Sequence, residues 1–409
     1  MNFIPDISIS TYDYDLPEDR IAQFPLKVRD ESKLLVCDTS HASEDVFKNL
    51  PKLLPAGSLV IFNETRVIRA RILFRKPTGA EVEIFCLEPV LPALELQEAF
   101  GQKRSVTWKC MIGNAKRWKQ GILTKKFSIG GREGILGAEI TGKTTGQYHI
   151  RFSWEPWDIS FSELLMLAGS IPLPPYIHRR ADENDAERYQ TIFARQEGSV
   201  AAPTAGLHFT GRILHELKAR NIVLEKVVLH VGAGTFKPVT SKTIRDHDMH
   251  PEKMIISRKT IETIAGWQGK PVVVTGTTTM RTVESLYWYG VKSMVYKTDD
   301  PNACVGQWDA YNPKYQAGIT TQESLEYILG LMNRRNAGYL EGMTRLMIVP
   351  GYKFRISDVL ITNFHLPQST LLLLVSAFTG GAWRKAYEYA MAHDFRFLSY
   401  GDACLFFRQ

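Results

Sequence analysis

Cysteine is scarce in this chain, with five residues among 409. The five are odd in number, lie far apart and include no Cys-x-x-Cys pair. A disulfide framework needs paired cysteines and a cysteine zinc site needs closely spaced ones, so the sequence predicts neither. Reduced thiols are typical of the cytoplasm, which is therefore the predicted location.

Long hydrophobic runs are also missing. The longest is LLLLVSAF at 371–378, whereas a helix that spans a bilayer takes about 20 apolar residues. The N-terminal stretch MNFIPDISISTYDYDLPEDR lacks the basic start and apolar core of a secretory signal. We therefore predict neither secretion nor membrane insertion.

Metal-binding patterns are likewise absent. His247, His250 and Glu252 lie close together in HDMHPEK. No His-Glu-x-x-His helix accompanies them, and no distant ligand pattern completes the set. The prediction is that the protein holds no metal ion.

Apolar content and charge set the remaining limits. The chain is 44% hydrophobic, which is ample for a buried core, and its length suggests about two or three domains. Its 50 Lys and Arg residues exceed its 43 Asp and Glu residues, which gives a net charge of +7. An excess of this size suits a polyanionic partner without requiring one.

Three histidines lie in segments of small and hydroxyl-bearing residues. These segments are AAPTAGLHFT around His208, LHVGAGTFKP around His230 and TNFHLPQST around His365. A packed core selects large apolar side chains at helix or strand spacing, and these segments do not follow that pattern. Small residues let a ligand approach the backbone, and an imidazole can exchange protons near neutral pH. A buried structural histidine is the alternative in each case.

Other polar residues of these segments are candidates for substrate binding. Thr204 precedes His208, Thr235 follows His230, and Asn363 and Ser369 flank His365. The glycines of LHVGAGTF do not make a dinucleotide-binding motif, because the third glycine and the acidic ribose contact are missing. They allow a substrate to approach the end of a strand instead.

The segment PVVVTGTTTMRT predicts a strand that leads directly into a helix. At such a junction the hydroxyls of Thr277 and Thr278 and the free N–H groups can bind a carboxylate, a phosphate or a ribose. One hydroxyl is enough to cap a helix, so four threonines in five positions favour ligand binding over an ordinary cap. Arg281, in the first turns of the helix, could pair with an anion.

Two further segments carry candidate residues. Asn63, Thr65 and Arg66 end a predicted strand, where active-site groups are common, and Arg66 could hold a carboxylate or phosphate. In the C-terminal segment SYGDACLFF, Tyr400 could stack on a base, and Asp402 could orient a catalytic base or bind a ribose hydroxyl. A surface salt bridge and a turn before a C-terminal strand are the alternatives.

The overall pattern predicts the fold class α/β (mixed α+β). Strand-like and helical segments alternate in residues 1–68 and again in 158–409, as in a layered α/β domain. Residues 69–157 consist of short alternating segments separated by turns, which is typical of a small antiparallel β-barrel. We therefore predict a large mixed α/β domain interrupted by a small barrel domain, with an insertion of unknown role at about 296–345.

Two segments are predicted to lie on the surface. The charged, proline-started stretch 173–194 reads as an exposed loop that could serve as a lid. The segment 108–121 mixes basic residues with Trp108 and Trp118, a combination that can contact phosphates and stack on bases. A solvated barrel edge explains the second segment equally well.

The motifs quoted above, taken with NETRVIRARI (63–72) and LPPYIHRR (173–180), resemble the S-adenosylmethionine:tRNA ribosyltransferase-isomerase family of queuosine biosynthesis nearly end to end. The resemblance implies that the ribosyl part of S-adenosylmethionine is transferred and isomerised onto 7-aminomethyl-7-deazaguanine at the wobble position of tRNA. Epoxyqueuosine would form, and adenine and methionine would leave. S-adenosylmethionine would then be a substrate, no cofactor would be needed, and tRNA would be the partner of a monomeric enzyme.

This reaction requires a base for the carbon beside the sulfonium, a group that protonates departing adenine, and contacts to the ribose hydroxyls. The sulfonium acidifies its neighbouring carbon, so His208 or His230 would be an adequate base, with Asp402 or Glu284 as its orienting partner. His365 is the third catalytic candidate. The substrate-binding candidates are Arg66, Thr204, Thr235, Thr277, Thr278, Arg281, Glu284, Asn363, Ser369 and Tyr400.

Two other functions remain open at this point. An S-adenosylmethionine-dependent RNA methyltransferase would ordinarily have a glycine-rich loop after its first strand and an acidic ribose contact after its second, and neither is present. A non-catalytic tRNA-binding protein would hold tRNA through the basic, aromatic edge of its barrel. Against the second alternative, buried His, Thr, Asp and Asn residues are costly and are not needed for phosphate contacts.

Overall fold

A computed structural model of the chain describes residues 3–38, 41–144, 146–232, 241–297, 304–316 and 318–408. The strands in these ranges are β1 (Lys33–Cys37), β2 (Ala42–Val46), β3 (Leu59–Asn63), β4 (Thr65–Val67), β5 (Arg71–Arg75), β6 (Glu81–Leu91), β7 (Ser105–Gly113), β8 (Leu123–Ile129), β9 (Arg132–Thr144), β10 (Gln147–Glu155), β11 (Gln196–Ser199), β12 (Val223–Leu229), β13 (Glu252–Ser257), β14 (Val272–Thr275), β15 (Cys304–Val305), β16 (Tyr339–Thr344), β17 (Val359–Asn363) and β18 (Ala403–Phe407). The α-helices are α1 (Leu50–Leu53), α2 (Leu96–Gly101), α3 (Phe161–Ala168), α4 (Asp185–Arg188), α5 (Gly211–Ala219), α6 (Arg258–Ala265), α7 (Thr277–Tyr296), α8 (Thr321–Arg334), α9 (Thr370–Phe378) and α10 (Trp383–Ala392). The predicted mixed α/β class is confirmed. No helix in the described ranges combines the length and the apolar character that crossing a membrane requires.

A large mixed sheet forms the centre of the molecule. Its described strands lie in the order β15-β16-β13-β12-β3-β14-β17-β18-β1-β2. Within it, β12, β3, β14 and β17 are neighbours and run parallel to one another. Their carboxyl ends therefore meet at one edge of the sheet, where ligands bind in open α/β folds.

Both faces of this central region are covered, which explains why every residue of β3 is buried. Leu59 and Ile61 point into the apolar core that contains α7, and Val60 and Phe62 point into the core that contains α5. Successive residues of a strand alternate between faces, so an unbroken apolar run is what a strand covered on both sides needs. The run SLVIFN follows that rule.

A second, six-stranded sheet has the order β5-β6-β7-β10-β9-β8, and all its neighbours are antiparallel. Its two edge strands approach each other, since the Lys125 ammonium of β8 donates to the Leu73 carbonyl of β5 at 3.1 Å. This nearly closed sheet is the small antiparallel barrel expected from residues 69–157. Trp108 and Trp118 are buried in its core, so they are unavailable for the base stacking considered above.

Two segments differ from their predictions. The stretch 173–194 is not a free loop: Tyr189 is fully buried, and the Asp185 carboxylate is 1% exposed and holds both arms of the Arg179 guanidinium at 2.6 and 2.7 Å. The stretch 296–345 contributes β15, α8 and β16, and β16 pairs with β13 in the large sheet. It therefore belongs to the framework of the fold. The domain boundaries themselves stay a prediction.

The crossing of α7 and α8 generates a prediction about stability. A Cβ at Gly290 of α7 would lie 2.1 Å from the Ser324 hydroxyl and 2.5 Å from the Ser324 carbonyl oxygen, and that backbone cannot move aside cheaply. We expect Gly290→Ala to lower the free energy of unfolding by about 1–3 kcal/mol, although alanine favours helix. Urea denaturation measures the change.

The matched control is Gly330→Ala in α8, where a Cβ would meet only the Arg334 guanidinium at 3.7 Å. This variant should gain up to about 1 kcal/mol from helix propensity. Equal effects of the two substitutions would contradict a close contact at Gly290.

Candidate functional site

A cavity lies at the carboxyl edge of the four parallel strands. Residues 201–205, 276–278, 362–366 and 398–399 line it, together with several isolated side chains. The sequence-predicted residues that the fold brings together in this wall are Thr204, Thr277, Thr278, Asn363, His365 and Ser369. They come from chain segments far apart in sequence, so the cavity is a product of the strand order.

The N-terminus of α7 faces the cavity without a side-chain cap. Gly276 turns the chain at φ 88°, which glycine adopts readily, and no side chain accepts the first N–H groups of the helix. The Thr279 hydroxyl donates to the Thr275 carbonyl at 2.5 Å instead of capping. The Thr278 hydroxyl is buried and has no hydrogen-bond partner among the described residues. An ordinary cap therefore does not explain this run of threonines.

Asn363, at the end of β17, joins the cavity to His208. Its amide nitrogen lies 3.2 Å from His208 Nε2 and 3.2 Å from the Leu398 carbonyl. Because the amide donates, Nε2 accepts, and the proton of the neutral ring is on Nδ1, which lies 2.8 Å from the Ser32 hydroxyl. Asn363 Oδ1 is buried without a described partner. This oxygen can accept a hydrogen bond from a ligand.

His365 is held firmly but keeps one ring nitrogen free. Its ring Nε2 lies 2.9 Å from the Thr362 hydroxyl. Its backbone N–H donates to the Tyr387 hydroxyl at 3.0 Å, and its backbone carbonyl accepts from the Tyr14 hydroxyl at 2.5 Å. No hydrogen bond to Nδ1 is formed within the described ranges. Burial lowers the pKa of this imidazole to about 3, so the ring is neutral at neutral pH.

The other two histidines are neutral as well but are placed differently. Burial, and then the charges of Arg396 and Arg29, lower the pKa of His208 to about 3. Burial, and then the charge of Lys253, lower the pKa of His230 to about 4. His230 Nδ1 lies 3.1 Å from the Thr65 hydroxyl, outside the cavity wall. The fold thus places His365 in the cavity wall, connects His208 to that wall through Asn363 and leaves His230 apart.

The carboxylates expected to orient these histidines do something else. Glu284 accepts from the Tyr352 hydroxyl and from the backbone N–H groups of residues 355–357. Asp402 accepts from the N–H groups of Lys33 and Arg396 and from the Arg396 guanidinium. A buried carboxylate needs several donors, and loops supply them here. The orienting partners of the imidazoles are hydroxyls and an amide, which corrects the prediction.

Three more predicted residues lie away from the cavity, and a fourth cannot be placed in it or outside it. Arg66 is on the surface, 4.0 Å from Glu197, and the Tyr400 hydroxyl donates to Asp185 at 2.7 Å. Arg281 pairs with the buried Glu252 carboxylate, one of the three residues weighed as a metal cluster. Thr235 lies outside the described residues. No group of three or more metal-ligating side chains occurs in the described part of the chain.

Sequence reasoning missed the side chains that hold the histidines. Ser32 contacts the ring of His208, and Tyr14 and Tyr387 bind the backbone of His365. All three are remote in sequence from these histidines, and nothing in their surroundings marks them. Thr362 did carry a signal, because it belongs to the segment TNFHLPQST. Such partners become visible only when the sheet order is known.

Comparison with known proteins gives matches along nearly the whole chain. A family model described as "Queuosine biosynthesis protein" matches residues 9–406. The S-adenosylmethionine:tRNA ribosyltransferase-isomerase of Azoarcus sp. (strain BH72) is 38% identical over 405 residues and covers 98% of each chain. The enzyme of the same name from Syntrophotalea carbinolica is 37% identical over 402 residues, covering 97% of this chain and 99% of its own. A crystal structure of the S-adenosylmethionine tRNA ribosyltransferase from Thermotoga maritima is 27% identical, with a TM-score of 0.46, and covers 97% of this chain and 100% of its own.

The neutral, buried histidines generate a prediction about acid stability. In the unfolded chain an imidazole takes up a proton below about pH 6.5, whereas in the fold the pKa of His365 is about 3. The contribution of the neutral His365 ring to the free energy of unfolding is therefore fully present above about pH 6.5, and it is lost as the pH falls from there toward 3. We expect His365→Gln to flatten this loss by about 1 kcal/mol per pH unit. Urea denaturation at pH 7, 6 and 5 gives the slopes.

His215→Gln is the control, because His215 is exposed on α5. It should leave the dependence of stability on pH unchanged. Equal slopes for the wild type and His365→Gln would show that the ring takes up its proton over the same pH range in the folded and the unfolded chain, which contradicts a pKa lowered by burial.

Proposed function

This chain belongs to the queuosine biosynthesis protein family, and we infer from that premise that it is an S-adenosylmethionine:tRNA ribosyltransferase-isomerase. The geometric observation that carries this function is the set of unpaired polar atoms at the cavity. The Thr278 hydroxyl and Asn363 Oδ1 lack described partners, and both residues line the same cavity as His365. Buried polar groups are normally paired, so an unpaired set at a cavity indicates a ligand.

In the proposed reaction the ribosyl part of S-adenosylmethionine is transferred and isomerised onto 7-aminomethyl-7-deazaguanine in tRNA. The product is epoxyqueuosine, and adenine and methionine leave. The chain must supply a base for the carbon beside the sulfonium and donors for departing adenine. It must also hold the ribose hydroxyls.

We assign the base to His365, because its Nδ1 is free at the cavity while both nitrogens of His208 are occupied by Ser32 and Asn363. Burial opposes a charged imidazole in the empty cavity. With S-adenosylmethionine bound the cavity already contains the positive sulfonium. Proton transfer from the carbon beside it to His365 moves that charge and leaves the net charge of the cavity unchanged, so burial opposes this step far less.

The start of α7 supports binding of the methionine carboxylate. Uncapped N–H groups and the positive end of a helix dipole attract an anion, and the Thr278 hydroxyl adds a donor beside them. Asn363 Oδ1 is an acceptor and suits a ribose hydroxyl. The carboxylate of the substrate would thus lie at the end of β14, and its ribose would lie at the end of β17.

We also propose that the enzyme is a cytoplasmic monomer that needs no metal or cofactor. The sulfonium activates its own neighbouring carbon and provides the leaving group, so the chemistry has no step that calls for a metal. All five cysteines are free thiols, and four of them are buried, which suits a reducing compartment. Activity in the presence of a chelator and the mass from light scattering test these points.

The function is tested by incubating the purified chain with S-adenosylmethionine and a tRNA that carries 7-aminomethyl-7-deazaguanine. Mass spectrometry should find adenine and methionine in equal amounts and a ribosyl-derived mass gain on the nucleoside. S-adenosylhomocysteine would instead identify a methyltransferase. Bound tRNA without any product would identify a binding protein.

Two substitutions at the cavity should have different kinetic effects. His365→Gln should lower kcat at least about 100-fold with little change in the Kd of S-adenosylmethionine, since removing a general base costs about 10²–10⁴ in rate. Thr278→Val should raise the Kd of S-adenosylmethionine about tenfold, since one hydrogen bond to a charged group contributes about 1.5–3 kcal/mol. Steady-state kinetics and calorimetry measure both.

Thr282→Val, one turn further along α7, is the matched control for the second substitution. Its hydroxyl donates to the Thr278 carbonyl at 2.9 Å, inside the helix. We expect near wild-type affinity. If His365→Gln keeps wild-type kcat, the base is another residue.

A further inference from the structure

Three arginines line a narrow cleft beside the cavity, on the far side of His208. They are Arg29, Arg188 and Arg396, and we call this feature the arginine cleft. Its wall also includes His208, the segment 399–401 and four further residues, Pro25, Leu26, Ser32 and Leu207. Three guanidinium groups in one small cleft repel one another unless anions compensate them.

Two of the three arginines, Arg29 and Arg188, lack such compensation. Arg29 donates to the carbonyls of Gln190 at 2.6 Å and Glu187 at 2.8 Å. Arg188 donates to two carbonyls, those of Leu26 and of Lys27, the second at 3.1 Å. Neither arginine forms a salt bridge with a carboxylate among the described residues. Carbonyls satisfy N–H groups but do not cancel a full charge.

The electrostatics agree with this geometry. Burial, and then the neighbouring charge of Arg188, lower the pKa of Arg29 by more than the nearby Glu187 carboxylate raises it. Arg188 Nε is buried and has no described hydrogen-bond partner. Arg396 alone has a carboxylate partner, Asp402 at 3.2 Å. The cleft therefore has an excess of positive charge and a free donor.

The cleft and the cavity share a wall. His208 lines the cleft, and its Nε2 contacts Asn363 of the cavity at 3.2 Å. Ser399 lines both spaces. A group bound in the cleft is thus separated from the candidate reaction site by one layer of side chains.

The size of the cleft selects the kind of anion. Its free space is about 20 Å³, which holds about one water-sized atom. A free metabolite would not fit inside, but one oxygen of a phosphate that lies on the surface would. Phe24, 59% exposed, precedes Pro25 of the cleft wall, and the Arg179 guanidinium lies over one face of its ring at 4.3 Å. Exposed aromatic rings beside basic grooves stack on the bases of single-stranded nucleic acid.

We propose that the arginine cleft binds a phosphodiester of the tRNA chain next to the nucleotide whose base enters the cavity. This inference rests on the proposed function and adds to it the surface that positions the second substrate. Arg29 and Arg188 supply the charge, and Arg188 Nε supplies a free donor. Charge-assisted hydrogen bonds to phosphate are the contacts in which arginine is favoured.

The test is tRNA binding by the full chain without S-adenosylmethionine, so that no turnover is needed. Arg188→Gln should raise the Kd of tRNA about tenfold, and it should reduce the slope of log K against log salt by about 0.7, the value of one phosphate contact with a single strand. The Kd of S-adenosylmethionine, from calorimetry, should stay at the wild-type value. Arg335→Gln, at an exposed arginine after α8, should leave both affinities unchanged.

Arg188→Lys separates charge from structure, because lysine keeps the charge but cannot hold two carbonyls at once. We expect it to recover most of the tRNA affinity, whatever its Tm. The proposal is wrong if Arg188→Gln binds tRNA with wild-type affinity and salt slope. It is also wrong if the Lys and Gln variants lose the same tRNA affinity and both losses follow the fall in Tm, because Arg188 would then act only through the stability of the fold. Absence of adenine release by the wild type would instead contradict the proposed function, and the binding data would still decide the role of the cleft.

Discussion

Parallel pairing of β12, β3, β14 and β17 brings four strand ends to one edge of the large sheet. Parallel strands need long crossover connections, so residues far apart in sequence arrive side by side. Thr275 ends one strand just before α7 begins, and Asn363 ends the next strand just before His365. The cavity lies where these strands end and α7 begins. The polar groups at the ends of β14 and β17 are positioned by this one pairing pattern.

Burial explains the chemistry of the site. Desolvation keeps the imidazoles of His208 and His365 neutral, and neutral rings pair with hydroxyls and amides rather than with carboxylates. Two buried carboxylates near the same strands, Glu284 and Asp402, are satisfied by backbone N–H groups that hold loops in place. The atoms that stay unpaired, Asn363 Oδ1 among them, are therefore informative. In a fold that satisfies so many buried groups, an exception at a cavity marks a place for a ligand.

Much of this arrangement could be predicted from sequence, because local pattern encodes local structure. Unbroken apolar runs such as SLVIFN predict central strands, and the threonines around Gly276 predict a strand that leads into a helix. The partners of the histidines could not be predicted, since Tyr14 and His365 are 351 residues apart. A sequence also does not distinguish Asp402, which holds a turn, from a carboxylate that orients an imidazole. Contacts of that range depend on strand order, which side-chain pattern alone does not determine.

The distribution of charge matches two substrates of opposite sign. S-adenosylmethionine carries a cationic sulfonium, and a cavity with protonated imidazoles would repel it, so the burial that keeps His365 neutral also favours the entry of this substrate. The uncompensated positive charge lies instead at Arg29 and Arg188, outside the cavity. A polyanion attracted there is held beside the cavity and does not need to enter it. One layer of side chains, with His208 and Ser399 in it, thus separates the place where charge binds the nucleic acid from the place where a neutral ring can remove a proton.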